Sequence, residues 1–134
     1  MRRYSIELIE YMNFFEKATK VRAKDCFLND ELCFIVDAGQ SRRAVGQGGA
    51  NIGRLCRRFN RKIRIVEFSP KPCNFILNLL RPLRVKNIRE DGKKVIITAD
   101  NTQEKGKIFG RDKQNIKRVQ DIASKYFDVI VAVE

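Results

Sequence analysis

Slid against itself by 64 positions, the chain repeats. VGQGGANIGRL (45–55) falls over FGRDKQNIKRV (109–119), so that Gly46, Asn51, Ile52 and Arg54 meet Gly110, Asn115, Ile116 and Arg118. The same offset sets Asp37 over Asn101 and Ile65 over Val129. Self-similarity at a fixed offset points to one structural unit built twice. Four identities in eleven positions are weak alone, so the order of elements in each half must carry the argument.

In the first half, SIELIEYMNFFEKA (5–18) carries Ile6, Ile9, Met12 and Phe15 at helical spacing. VRAKDCFL and LCFIVD read as strands around the turn residues Asn29 and Asp30. Asp37-x-x-Gln40 and Asn101-x-x-Glu104 have the form of capping boxes, each opening a short helix that stops at a glycine, Gly46 or Gly110. A second helix follows, 50–60 or 113–126, and each half closes on a β-like run, KIRIVEF or FDVIVAV. The second half opens with a helix at CNFILNLL and two strands, LRVKNIRE and KKVIITAD, around Asp91-Gly92. Both halves are therefore α-β-β-α-α-β. The expected boundary is SPKP (69–72), where two prolines break regular structure. Units of this size have marginal cores, so the two are expected to pack on each other.

Composition bounds the function. The chain has 28 Lys and Arg against 16 Asp and Glu, a net charge of +12. Such an excess speaks of partners: nucleic acid, an anionic membrane or an acidic protein. No apolar run approaches the roughly 20 residues of a spanning helix. The start, MRRYSIELIEYMNFF, is basic and then apolar, but Glu7 and Glu10 interrupt it. It reads as an amphipathic helix rather than a secretory leader, and the chain as cytoplasmic. Cys26, Cys33, Cys56 and Cys73 form no C-x-x-C pair and there is no histidine, which points to reduced, mostly buried thiols unless the fold gathers all four around a metal. Without histidine the commonest general base is missing, and no nucleophile or paired-ligand motif appears. The chain reads as a non-enzyme without cofactor, metal or small-molecule substrate.

The glycines of GQGG stand among Arg42, Arg43, Arg54, Arg57, Arg58, Arg61, Lys62 and Arg64, and residues 42–64 hold no acid. Glycine permits a tight reversal, which alone would account for one of them. A phosphate backbone can approach the main chain closely only where there is no Cβ, and the amides opening the next helix then face it. Charge and glycine turn coincide, which favours nucleic acid.

Gly46-Gln47-Gly48-Gly49 between two helices, followed by Asn51-Ile52 and a strand, resembles the signature of KH domains, and α-β-β-α-α-β matches their type II form. Two such units joined by a few residues resemble the tandem KH region of the NusA family of transcription elongation and termination factors. AVGQGGANIGRLCRRFNRKIRIVEFS (44–69) is similar to its stand-alone archaeal version, which lacks the polymerase-binding and S1 domains. The resemblance covers nearly the whole chain. It implies an α+β fold of two tandem type II KH domains, 1–69 with an intact GxxG loop and 70–134 with a degenerate one. Each would be a three-stranded sheet covered by helices, the two forming one rigid unit.

The resemblance also implies binding of single-stranded RNA, a nascent transcript in termination or antitermination, with RNA polymerase as a further partner. Gly46, Gln47, Gly48 and Gly49 would clamp the backbone of about four nucleotides. Asn51 would follow the clamp and Ile52 would floor the groove. Ile63 and Ile65 line it or belong to the plain core. Arg42 and Arg43 flank the loop; Arg54 and Arg57 lie near phosphates or snorkel on the surface. In the second repeat the counterparts are Gly110, Arg111, Lys113, Ile116 and Lys117. Its loop, Gly110-Arg111-Asp112-Lys113, ends without glycine and holds an acid, and Lys113 is expected to have an ordinary helix-start backbone. The alternatives are a ribosome-associated or RNA-processing KH protein, and a basic interaction module for an acidic polymerase subunit.

Overall fold

A computed structural model describes residues 4–134; the basic start, Met1 to Arg3, lies outside them. The first helix, α1 (Ile6–Thr19), begins where the Ser5 hydroxyl accepts from the Leu8 amide and ends at Lys20 in the left-handed region. Its buried side differs from the stripe read in the sequence. Phe15 is fully buried, whereas Ile6 and Ile9 are exposed. Nine residues at about 100° each turn Ile6 to the side opposite Phe15. Leu8, Tyr11 and Met12 pack with Phe15 instead.

The chain divides into two compact units, Met1–Phe68 and Ser69–Glu134. In the first, α1 is followed by β1 (Asp25–Leu28), β2 (Leu32–Val36), α2 (Ser41–Val45), α3 (Ala50–Phe59) and β3 (Ile63–Glu67). β2 is the centre of a three-stranded sheet, antiparallel to β1 and parallel to β3. The core joins Phe15 of α1, Leu32, Phe34 and Val36 of β2, Ala44 of α2, Leu55 of α3 and Ile63 of β3. Phe15 stacks on Phe34 with ring centres 4.3 Å apart. At the rim, Phe59 meets Tyr11 and Phe14 edge-on. Such ring pairs add about 0.5–1.5 kcal/mol beyond their burial.

The second unit runs α4 (Pro72–Leu80), β4 (Asn87–Asp91), β5 (Lys94–Thr98), α5 (Thr102–Phe109), α6 (Gln114–Ala123) and β6 (Ile130–Val133). Its sheet repeats the first: β5 central, antiparallel to β4, parallel to β6. Phe75, Ile76 and Leu79 of α4, Val95 and Ile97 of β5, Ile108 of α5, and Val119 and Ile122 of α6 are buried.

Two local expectations are corrected. Pro72 does not break α4 but begins it; proline suits the first helical position, where no amide donor is required. Asp37-x-x-Gln40 is not a capping box, because α2 starts at Ser41 and Gln40 gives it no side-chain cap. The Gly39 and Ser41 amides donate instead to Glu67 Oε1, from the end of β3. Asn101-x-x-Glu104 is half a box: Asn101 Oδ1 accepts from the Glu104 amide at 2.8 Å, and the Glu104 carboxylate pairs with Lys107.

Candidate nucleic-acid interface

The glycine loop of the first unit hangs between the short α2 and α3. Gly46 ends α2 at φ 82°, ψ 163°, and a single 3₁₀ turn over Gln47–Gly49 leads into α3. Gly48 and Gly49 are both left-handed, at φ 62° and 77°. The glycines do different work. A Cβ on Gly46 would come within 2.9 Å of the Asn51 backbone nitrogen and side chain, so this glycine is demanded by packing as well as by φ. A Cβ on Gly48 would meet nothing within 4 Å. One on Gly49 would approach the Ile52 Cγ2 at 3.6 Å, so Ile52 lies directly beneath the turn. Asn51 donates from Nδ2 to the Arg43 carbonyl at 3.3 Å, tying the start of α3 to α2. Asn51 is thus the brace that fixes the loop.

Charge is sorted around this loop. Arg42, Arg43, Arg54 and Arg57 are exposed. The Arg57 guanidinium lies back over Gly53, 3.4 Å from where a Cβ would stand. The other cations of the run turn elsewhere. Arg64 donates to Glu31, which is itself buried, and Lys62 lies 3.8 Å from the same carboxylate. Arg58 stands over the Phe14 ring. Arg61 faces the Tyr11 hydroxyl, which donates to Glu7; that bond is the main reason the Tyr11 pKa is raised, and Arg61 pulls it the other way. Ile63 is core, while Ile65 is only partly buried beside it.

The second loop has kept the shape with only the first of the three glycines. Gly110, Asp112 and Lys113 lie at φ 74°, 54° and 61°, against 82°, 62° and 77° for Gly46, Gly48 and Gly49. Lys113 therefore does not have an ordinary helix-start backbone. Asp is among the residues that tolerate this region; Lys is not, and a left-handed L-residue costs roughly 1–2 kcal/mol. A similar lock holds the loop: a Cβ on Gly110 would stand 2.6 Å from the Asn115 Cβ, and Asn115 donates to the Ile108 carbonyl at 3.0 Å, one residue on from the counterpart of Arg43. Arg111 and Lys117 are exposed and Ile116 half-buried. Arg118, the counterpart of exposed Arg54, is buried and donates to the Leu79 carbonyl and to Asn115. One arginine of the repeat faces solvent and the other holds a core.

Among the described residues, no group of three or more His, Cys, Asp or Glu could hold a metal ion. Cys26 and Cys33 are buried, and Cys56 and Cys73 are half-buried. No helix of the described residues is long and apolar enough to cross a membrane.

The arrangement defines a class: a basic α+β protein of two like units, each with a tight turn between two helices. The crystal structure of APE1850 has this fold, with a TM-score of 0.75, 29% identity, and coverage of 97% of this chain and 99% of that one. The probable transcription termination protein NusA of Methanocaldococcus jannaschii is 32% identical over 92% of this chain and 70% of its own length. That of Halobacterium salinarum is 30% identical over 95% and 94%. No family model matches the chain. The chain belongs to the family of archaeal NusA-like transcription termination proteins.

Proposed function

We propose that the chain is a non-catalytic, single-stranded RNA-binding protein of transcription termination or antitermination, built from two tandem type II KH domains. The names of its relatives support the transcriptional role. The observation that carries RNA binding is the open approach at Gly48. Nothing stands within 4 Å of its absent Cβ, and Arg42, Arg43, Arg54 and Arg57, on the two helices that flank the turn, are exposed. A sugar-phosphate backbone can reach the main chain there, with arginines placed to neutralise it. Gly46, Gln47, Gly48 and Gly49 form the clamp, braced by Asn51 and floored by Ile52 and Ile65. Gly110, Arg111, Lys113, Ile116 and Lys117 form a looser contact in the second unit, because Asp112 and Lys113 place side chains where the first loop has none.

The test is Gln47→Asp combined with Gly48→Asp. The fold tolerates an aspartate at the second of these positions, since Asp112 occupies the same backbone conformation in the second loop. RNA affinity should fall at least tenfold with the circular dichroism melt nearly unchanged. Unaltered affinity in the folded variant overturns the proposal.

A further inference from the structure

The two units differ where the last helix meets the last strand. In the second, Gln120 of α6 reaches across to β6. Its Nε2 donates to the Val129 carbonyl at 3.0 Å, and its Oε1 accepts from the Val131 amide at 2.7 Å. Nε2 also donates to Ser124 Oγ at 2.7 Å, and that hydroxyl donates to the Gln120 carbonyl, also at 2.7 Å. The carboxamide thus uses both its donors and an acceptor site, and it is held in place from its own helix.

β6 is an edge strand, paired to β5 on one side only. Ile130 donates its amide to the carbonyl of Lys93, just before β5, and Glu134 donates to that of Ile97 on β5. By the alternation of a strand, Val129 and Val131 present their backbone groups to the open edge. An unpaired edge is a template for any flat group carrying a donor beside an acceptor. A nucleobase edge carries such a pair, and so does a glutamine carboxamide, which is why glutamine pairs bidentately with a base. Gln120 therefore occupies the hydrogen-bonding positions an incoming base would use. In the first unit the equivalent residue is Cys56, 64 positions earlier, on α3 and half-buried. A thiol has neither the reach nor the paired donor and acceptor to close an edge.

We propose that Gln120 is a specificity-determining plug. It closes the second unit's strand edge to nucleobases, whereas Cys56, at the same place in the first unit, cannot close the edge of β3 beside Ile65 in this way, so that base recognition favours the first unit. This rests on the single-stranded RNA reading above. It separates the two units by a feature independent of their loops.

The experiment uses the full chain with Gln120→Cys, the residue of the first repeat, and Gln120→Ala as a second variant. Hydrogen exchange at the Val131 amide is followed beside affinity for an unstructured oligoribonucleotide long enough to reach both units. Exchange at Val131 should accelerate in both variants. Affinity should rise about three- to tenfold, the worth of roughly one regained hydrogen bond. The reciprocal Cys56→Gln should weaken binding by a similar factor. Unchanged exchange at Val131, or faster exchange without tighter binding, overturns the plug. The Gln47→Asp, Gly48→Asp variant is titrated on the same RNA. If it loses binding and the Gln120 variants gain none, only the plug fails. If it binds as the parent does, the RNA reading fails and the plug with it.

Discussion

Gly46 and Gly48 stand two residues apart in one loop, yet the structure asks different things of them. Gly46 combines φ 82° with a packing contact against Asn51. Gly46→Ala should destabilise the first unit by about 1–3 kcal/mol, the usual cost of a strained backbone position, and chemical denaturation would show it. Gly48→Ala meets open space and should cost only about 1 kcal/mol, for the left-handed backbone alone. Asp112 and Lys113 pose the converse case. Replacing both with glycine removes left-handed strain, less the entropy that glycine adds to the unfolded chain. The second unit should gain about 1 kcal/mol, mostly at Lys113. RNA should bind tighter by about 0.5–1.5 kcal/mol as the second backbone becomes approachable. Weaker RNA binding by this variant would contradict the ranking of the two loops.

Among the elements, the helix starts give the sharpest contrast. Asn101 caps α5 with its own side chain, so Asn101→Ala should cost about 1 kcal/mol. Asp37 holds its place by a main-chain bond, its carbonyl accepting from the Gln40 amide. Asp37→Ala should therefore change stability by less than about 0.5 kcal/mol. Thermal melts of the two variants check both. These two motifs share a residue pattern and could not be told apart in the sequence, because what replaces the cap at α2 is Glu67, 26 to 28 residues away. The order α-β-β-α-α-β was legible from hydrophobic period and turn residues, which are local. So was the loop between the helices of each half. The buried side of α1 was not, since spacing by threes drifts around a helix. Nor was the left-handed backbone at Lys113, where a lysine gives no local sign of it. Gln120 could have been noticed only by asking why the repeat sets a long amide over a short thiol.

At the scale of the whole molecule, charge and loop geometry act together. The four arginines near the first loop and the basic side chains of the second predict contact with about four to six phosphates. The slope of log K against log salt for single-stranded RNA should then lie at about −3 to −4. Titration at several salt concentrations measures it, and a flat response would remove the phosphates from the account. The two units also carry one lock twice, Gly46 with Asn51 and Gly110 with Asn115, around three residues whose backbone angles nearly coincide. These loops are interchangeable inserts in matching sockets. A chimera exchanging 47–49 with 111–113 should fold as the parent does, and on the RNA-binding function proposed above its tighter backbone grip should move from the first unit to the second.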